Sequence, residues 1–521
     1  MTGRAEQARG PVADEAPQTG GDPDPRGGGT PGGGSRLPVG FASVLRRVSV
    51  PTGRAVEPAP AQRRRYAPLR LLRPLLPAVP GAAHAHASER AVILTLPTGW
   101  YLAGAGLAVA LTAVLALVSR RLPPFAAHRL LDRPALLPRA ATSWIGAALL
   151  WALVAVGVLG TRDPLENLLP LAVWTALWVG LTLASVVFGN LWRDIEPWTG
   201  PVRAFRRLIG WRGSVGLSRL GHLPAVAGLL AFAWFEIVSL SPADPLVLAR
   251  VVAAYYLLIL ALAVAEGEDW LARGEFLTVY FALIARIAPF WADYAGARVT
   301  VMAGWPGAQV LRMGALSPSA IAFVTLLLAS VSFDGLHETF WWLARLGLNP
   351  LEFPGRSAVV GANSAGLVAF WGGTAALVLG AVRAGLPRGA RFGTLAGPLM
   401  LSFLPIAAGY HVAHYLVALL TDGQYALAAL NDPFGTGAAL LGLPEHWVSF
   451  GFLNTRGGVL AIWTAQFGVI TAAHVLAVLL GVRLGPAAGA AQGLRSHLPM
   501  TLLMVAYTVF GLWLLSAPVG A

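Results

Sequence analysis

Residues 317 to 342 read SPSAIAFVTLLLASVSFDGLHETFWW. The run carries no charge until Asp334, and its first twenty or so residues, at 1.5 Å each in a helix, cover roughly 30 Å, the depth of bilayer hydrocarbon. A membrane-spanning helix is therefore expected at 317 to 337, ending in a carboxylate, an imidazole and a second carboxylate before Trp341 and Trp342. The same length of apolar run recurs on both sides, and ten are present: 98 to 118, 142 to 160, 168 to 189, 222 to 240, 246 to 266, 317 to 337, 357 to 381, 396 to 420, 458 to 482 and 497 to 517. The chain of 521 residues is 56% hydrophobic and 12% charged, against about 25% charged in soluble globular proteins. A soluble protein is excluded. The expected fold is an all-α polytopic integral membrane bundle of about ten transmembrane helices. One further apolar stretch, 275 to 291, carries Arg286 and is expected as an interfacial or re-entrant helix.

Three regions are expected. Residues 1 to 65 are rich in Gly, Pro, Asp and Arg without apolar periodicity and read as a disordered tail. Residues 66 to 87 resemble a signal peptide, with basic residues before an apolar stretch and small residues at Gly81 and Ala83, although Arg73 and its prolines fit that reading poorly. Residues 88 to 521 form the transmembrane domain. The net charge of +13 comes entirely from arginine. The connections after the first, third, fifth, seventh and ninth runs hold 20 arginines and the other four hold only Arg162, Arg345, Arg356 and Arg456. That bias assigns the first set to the cytoplasm and explains the charge as membrane orientation, with no nucleic-acid partner. The expected location is the bacterial cytoplasmic membrane, crossed many times.

Ionisable side chains inside spans are costly, so they mark where chemistry is to be sought. Asp334, His337 and Glu338 share one helical face at the outer end of the sixth run. His411 and His414, in GYHVAHY, are three apart, so both imidazoles can point to one centre. Glu236 lies near the outer end of the fourth run. Gln466 and Trp463 lie at a similar depth in the ninth, and His474 is roughly 12 Å deeper than Gln466. A carboxylate in a span needs a partner, and His337 and His411 are candidates for Asp334. The connection from 421 to 446, with Asp422, Asp432, Glu445 and His446, is long enough to form a lid. Plainer readings stand beside these. His474 can be an interhelical hydrogen-bond partner, His411 and His414 an interfacial polar patch, Glu338, Glu445 and His446 a wetted rim, and Trp341 and Trp342 part of an aromatic belt.

The chain has no cysteine, which removes disulfides, thiolate metal sites and a cysteine nucleophile. A metal would need His, Asp, Glu or backbone oxygen. Cleavage after Ala83 would expose His84, with His86 beside it, as a copper-binding terminus, or these are chance histidines at an ordinary junction. No phosphate loop, HExxH motif or nucleotide fold signature is present.

The blocks GNLWRDIEPWTGPVRAF (189 to 205), AFAWFEIV (231 to 238), EDWLARGEFLTVYFALIARIAPF (268 to 290), FDGLHETFWW (333 to 342) and GYHVAHYLVALLTDGQYALAALNDPFGTG (409 to 437) resemble bacterial membrane proteins of the fenitrothion hydrolase family. The AHAH junction before the first run is similar too, and the order of blocks extends over most of residues 84 to 517. The resemblance implies hydrolysis of an organophosphate triester but brings no catalytic motif, so the site residues are read from this chain alone. The leading expectation is metal-assisted ester hydrolysis at an outward-facing site. His411 and His414 would hold a divalent metal, zinc or copper, and Asp334 or Glu338, with His337, would act as ligand or base. The alternatives are a copper or proton-coupled transporter built from the same residues, acting on a small molecule or ion from the extracytoplasmic side, and a non-enzymatic membrane assembly component.

Overall fold

The computed structural model describes residues 98–118, 124–353, 355–386, 391–444, 447–487 and 494–520. The expected tail at 1 to 65, the signal-like segment at 66 to 87 with His84 and His86, and the loop residues Glu445 and His446 lie outside the described residues. In chain order the main elements are α1 (Thr98–Val118), β1 (Ala127–Pro134), α2 (Arg139–Leu159), α3 (Leu168–Phe188), α4 (Thr199–Leu208), α5 (Leu223–Ile237), α6 (Pro245–Glu266), α7 (Phe276–Ile284), β2 (Phe290–Ala295), β3 (Arg298–Gly304), α8 (Pro318–His337), α9 (Val360–Ala384), α10 (Leu395–His414), α11 (Leu416–Asn431), α12 (Arg456–Ala487) and α13 (Leu494–Ser516). The protein is an all-α polytopic bundle. Among the described residues nine helices, α1, α2, α3, α6, α8, α9, α10, α12 and α13, are long and apolar enough to cross a bilayer.

The fourth run, 222 to 240, forms only the 15-residue α5, about 22 Å long. It nevertheless runs beside α8. At one end the His222 backbone N–H donates to Ser319 Oγ at 3.0 Å, and at the other Glu236 and Asp334 meet through one tyrosine hydroxyl. The two helices are thus parallel, and α5 stops at the depth of Asp334, where Arg356 Nη1 donates to the carbonyls of Glu236 (2.7 Å) and Ser239 (3.1 Å). A cation on the last carbonyls is the favoured way to end a helix.

The stretch 275 to 291 lies inside the protein, not on its surface. Glu275 caps α7 by accepting from the Leu277 and Thr278 backbone N–H groups at 2.9 and 2.6 Å. All of α7 except Ala282 is buried, against α3, α5 and α10. Arg286 sits just beyond, exposed, in a closing turn of 3-10 helix, which is how an arginine is accommodated after so apolar a segment. The chain then forms a hairpin, β2 and β3, which turns at Gly296 and pairs with β1 in an antiparallel sheet of order β1-β3-β2. This sheet was not anticipated. β1 reads AHRLLDRP and is exposed along most of its length, so no alternation of apolar and polar residues announces it.

Two helices are central. Of the apolar stretches of α8 and α10, 72% and 83% are buried, against 22 to 39% for the other seven. The outward faces of those seven are left to lipid, while side chains of α8 and α10 face other helices. Close approach makes this packing possible: a Cβ at Gly409 of α10 would lie 2.4 Å from Ala473 Cβ on α12, the small-residue contact typical of membrane helices.

Candidate functional site

Helices α5, α8 and α10 end at one place, and the break between α10 and α11 supplies the residue that joins them. Tyr415, with φ −93° and ψ 7°, interrupts what reads as a single run from 396 to 420. Its hydroxyl lies 2.9 Å from Glu236 Oε1 and 2.8 Å from Asp334 Oδ2. On the same Asp334 oxygen, His414 Nε2 donates at 2.8 Å. His337 Nδ1 donates to the Asp334 backbone carbonyl at 2.7 Å and lies 3.9 Å from Asp334 Oδ1. On its other side His337 Nε2 is 3.5 Å from Glu338 Oε1. The Glu338 side chain is 51% exposed, against 6% for His337, 16% for Asp334 and 15% for His414, so Glu338 is the wetted end of the row.

The sequence placed Asp334, His337, Glu338, His414 and Glu236 near one another, and the structure brings them together. It pairs Asp334 with His414, not with His411. The His411 ring is fully buried and its Nε2 donates to the Trp178 backbone carbonyl at 2.8 Å, while Nδ1 has no partner. Both imidazoles pack against the Tyr415 ring, with centroids 4.8 and 4.7 Å away, but they do not share a centre. Their Nε2 atoms go to separate partners, the Trp178 carbonyl and Asp334, and not to one point between them. Among the described residues no group of three or more His, Asp or Glu side chains is placed to hold a metal. The donor set does not fit a divalent zinc or copper ion in this arrangement.

The Trp178 carbonyl belongs to α3. Residues Leu171–Leu181 form a π-helix, a rare geometry that concentrates at functional sites. A carbonyl has two lone pairs, and that of Trp178 accepts from His411 and from Thr182 Oγ1 at 2.7 Å. Thr182 in turn meets the Tyr280 hydroxyl at 3.0 Å, tying the buried α7 to the site. Sequence reading missed Trp178, Thr182, Tyr280 and Tyr415. Only Tyr415 left a trace, as the residue directly after His414 in GYHVAHY.

The other candidates are placed as follows. Gln466 Nε2 donates to the Ala413 carbonyl at 2.9 Å, next to His414. His474 Nδ1 donates to the Ile470 carbonyl of its own helix at 2.9 Å. The first part of the expected lid between 421 and 446, through Asn431, is helix α11, which packs along α3. Past it, Asp432 accepts from the Thr436 and Gly437 backbone N–H groups at 2.9 and 2.7 Å. These amides hold its carboxyl below the usual carboxylate range. Asp432 organises a turn and takes no part in the central cluster.

Gly335, next to Asp334, is a steric requirement. A Cβ there would lie 2.8 Å from Tyr410 Oη and 3.6 Å from His414 Cε1. Gly335→Ala is expected to cost about 1 to 3 kcal/mol through overpacking and to displace His414 from Asp334. Thermal unfolding in detergent measures the first effect, with Gly361→Ala as the control, since a Cβ there meets nothing within 4 Å. Equal melting temperatures for the two variants would show that position 335 is not tightly packed.

No family model, curated protein or solved structure matches this chain.

Proposed function

We propose that the chain is a proton-relaying membrane protein, a proton-coupled transporter of a small molecule or ion, in which Glu338, His337, Asp334, His414, Tyr415 and Glu236 form the relay. One observation carries the reading: the Tyr415 hydroxyl sits within hydrogen-bond distance of two carboxylates at once. Two oxygen-to-oxygen hydrogen bonds need two protons, and the phenol supplies one. The second belongs to a carboxyl, and Glu236 is the holder, because Asp334 Oδ2 also accepts from His414 and acts there as the charged acceptor. Among Glu236, Tyr415, Asp334 and His414 a shared proton moves by small shifts over 2.8 to 2.9 Å, whereas the step from His337 requires its Nδ1 to turn from the Asp334 carbonyl toward Oδ1, 3.9 Å away.

Electrostatics favours a cation over an anion. Each helix C-terminus carries about half a negative charge, and three of them converge on two carboxyl groups. Phosphoryl transfer needs the opposite, donors aimed at developing negative charge. A second reading, hydrolysis of an organophosphate ester as the sequence resemblance implies, draws support from the carboxylate-oriented imidazole of Asp334 and His414, the arrangement of a general base. The deciding experiment runs two assays on one purified preparation: proton uptake into proteoliposomes and turnover of an aryl phosphotriester. Proton uptake without turnover supports the relay. Turnover that is lost in both Asp334→Asn and His414→Ala supports the hydrolase instead.

The reading places the Glu338 end outside the bacterial cytoplasmic membrane, on the strength of the 20 to 4 arginine imbalance. Three of the four exceptions have local partners: Arg356 caps α5, Arg162 lies 3.4 Å from Asp244, and Arg345 stacks on Trp341. Reporter fusions after Arg207 and Arg391 should report cytoplasm, and one at Asp432 the exterior. An exterior signal at Arg391 would reverse the assignment from α8 onward.

A further inference from the structure

Helix α12 carries a row of polar atoms that the site does not use. Trp463 Nε1, Gln466 Oε1, Thr471 Oγ1 and His474 Nε2 are all buried without a hydrogen-bond partner. Trp463, Gln466 and His474 are 0%, 4% and 1% exposed. At 100° per residue, positions 463, 466, 474, 478, 481 and 485 fall within about 60° of one line along the helix, so they form one stripe facing the bundle interior. Buried polar atoms are ordinarily satisfied by protein or water, and three of these four lie on the stripe, where they offer partners to water.

The stripe starts at the site and ends at a cavity. Gln466 touches the Ala413 carbonyl, one residue from His414. His474 lies about 12 Å further along, and because its Nδ1–H is committed to the Ile470 carbonyl, Nε2 presents a free lone pair. Its ring is 6.4 Å from that of Tyr507, whose hydroxyl meets Ser332 Oγ at 2.5 Å, two residues before Asp334. One turn past His474, Val478 and Gly481 line a cavity of about 30 Å³ together with Ser496, His497 and Thr501, enough room for one water.

We infer that this face of α12 is the second leg of a transmembrane proton path, with His474 the relay between the Asp334 cluster and the His497 cavity. It rests on the relay reading above. A hydronium ion delivered along the stripe gives its proton to Nε2 and becomes water. The imidazolium then returns that proton from Nε2 to a water on the cavity side, while the Nδ1–H bond to Ile470 stays intact. Charge and atoms balance with water as the only co-reactant.

The test uses the full-length protein in phosphatidylcholine and phosphatidylglycerol vesicles with an entrapped pH dye, driven by a valinomycin potassium potential. His474→Asn keeps a nitrogen donor where Nδ1 stood but cannot take up a proton. It is expected to slow proton uptake at least ~10²-fold, the lower range for loss of an acid–base group, at unchanged melting temperature. If it conducts as fast as wild type while Asp334→Asn does not, the α12 leg is wrong and the relay cluster stands. If wild type is silent, or both variants match it, the relay reading falls and takes this leg with it. Should His474→Asn lose its fold, Gln466→Leu decides, with slowed uptake supporting the path and unchanged uptake overturning it.

Discussion

Asparagine at position 334 is expected to reduce proton uptake by at least ~10²-fold, while the protein still folds. The side chain keeps its shape, and its oxygen still accepts from one of the two donors that now converge on Asp334 Oδ2, His414 Nε2 and the Tyr415 hydroxyl, each at 2.8 Å. The second donor loses a charged acceptor. Hydrogen bonds to charged groups are worth about 1.5 to 3 kcal/mol, and the His414 ring can accept from the new amide through a change of tautomer, so the fold survives. The relay does not, because an amide cannot take and return a proton at neutral pH. Loss of an acid–base group of this kind typically costs 10²- to 10⁴-fold. Uptake and phosphotriester turnover that are both unchanged in Asp334→Asn would make Asp334 a structural hydrogen-bond partner and nothing more.

Tyr415→Phe is expected to have the next largest effect. The hydroxyl lies within hydrogen-bond distance of both Glu236 and Asp334, and the Phe ring retains the packing against His411 and His414. The substitution removes the hydroxyl from Glu236 Oε1 and leaves Asp334 Oδ2 with His414 alone, and a carboxyl oxygen short of a partner costs about 1 to 3 kcal/mol. The break between α10 and α11 should also weaken, since no proline or glycine imposes it. Expected results are a lowered melting temperature and proton uptake slowed at least ~10-fold, comparable to the loss of about 1.4 kcal/mol of coupling. The corresponding change at Tyr410, whose ring stacks on that of His414 with centroids 5.9 Å apart, should affect uptake less. The reverse order, Tyr410→Phe worse than Tyr415→Phe, would place the path elsewhere.

What could be read from the sequence follows from which features are local. Nine of the ten apolar runs become spanning helices because length and hydropathy are properties of each segment alone. The run at 222 to 240 becomes shorter because Arg356, 120 residues away, ends it at Glu236. Tyr415 breaks the eighth run although LVALL continues the apolar pattern, since the break is held by carboxylates from two other helices. Asp334, His337, Glu338, His414 and Glu236 were visible as charges that a bilayer penalises. The partner of His411 was not, because it is a main-chain carbonyl within a π-helical stretch that no residue type announces. The β1-β3-β2 sheet was hidden for the same reason. β1 lacks alternation and gains its register only from β3, about 170 positions later.

The central claim is that Glu236 holds a proton that it shares with Asp334 through Tyr415. The direct measurement is infrared difference spectroscopy of the purified, lipid-reconstituted protein in the carboxyl stretching region, in H₂O and in D₂O at neutral pH. The account predicts one protonated carboxyl band that shifts in D₂O, disappears in Glu236→Gln and moves in Tyr415→Phe. Absence of a protonated carboxyl band, or a band that persists unchanged in Glu236→Gln, would contradict it.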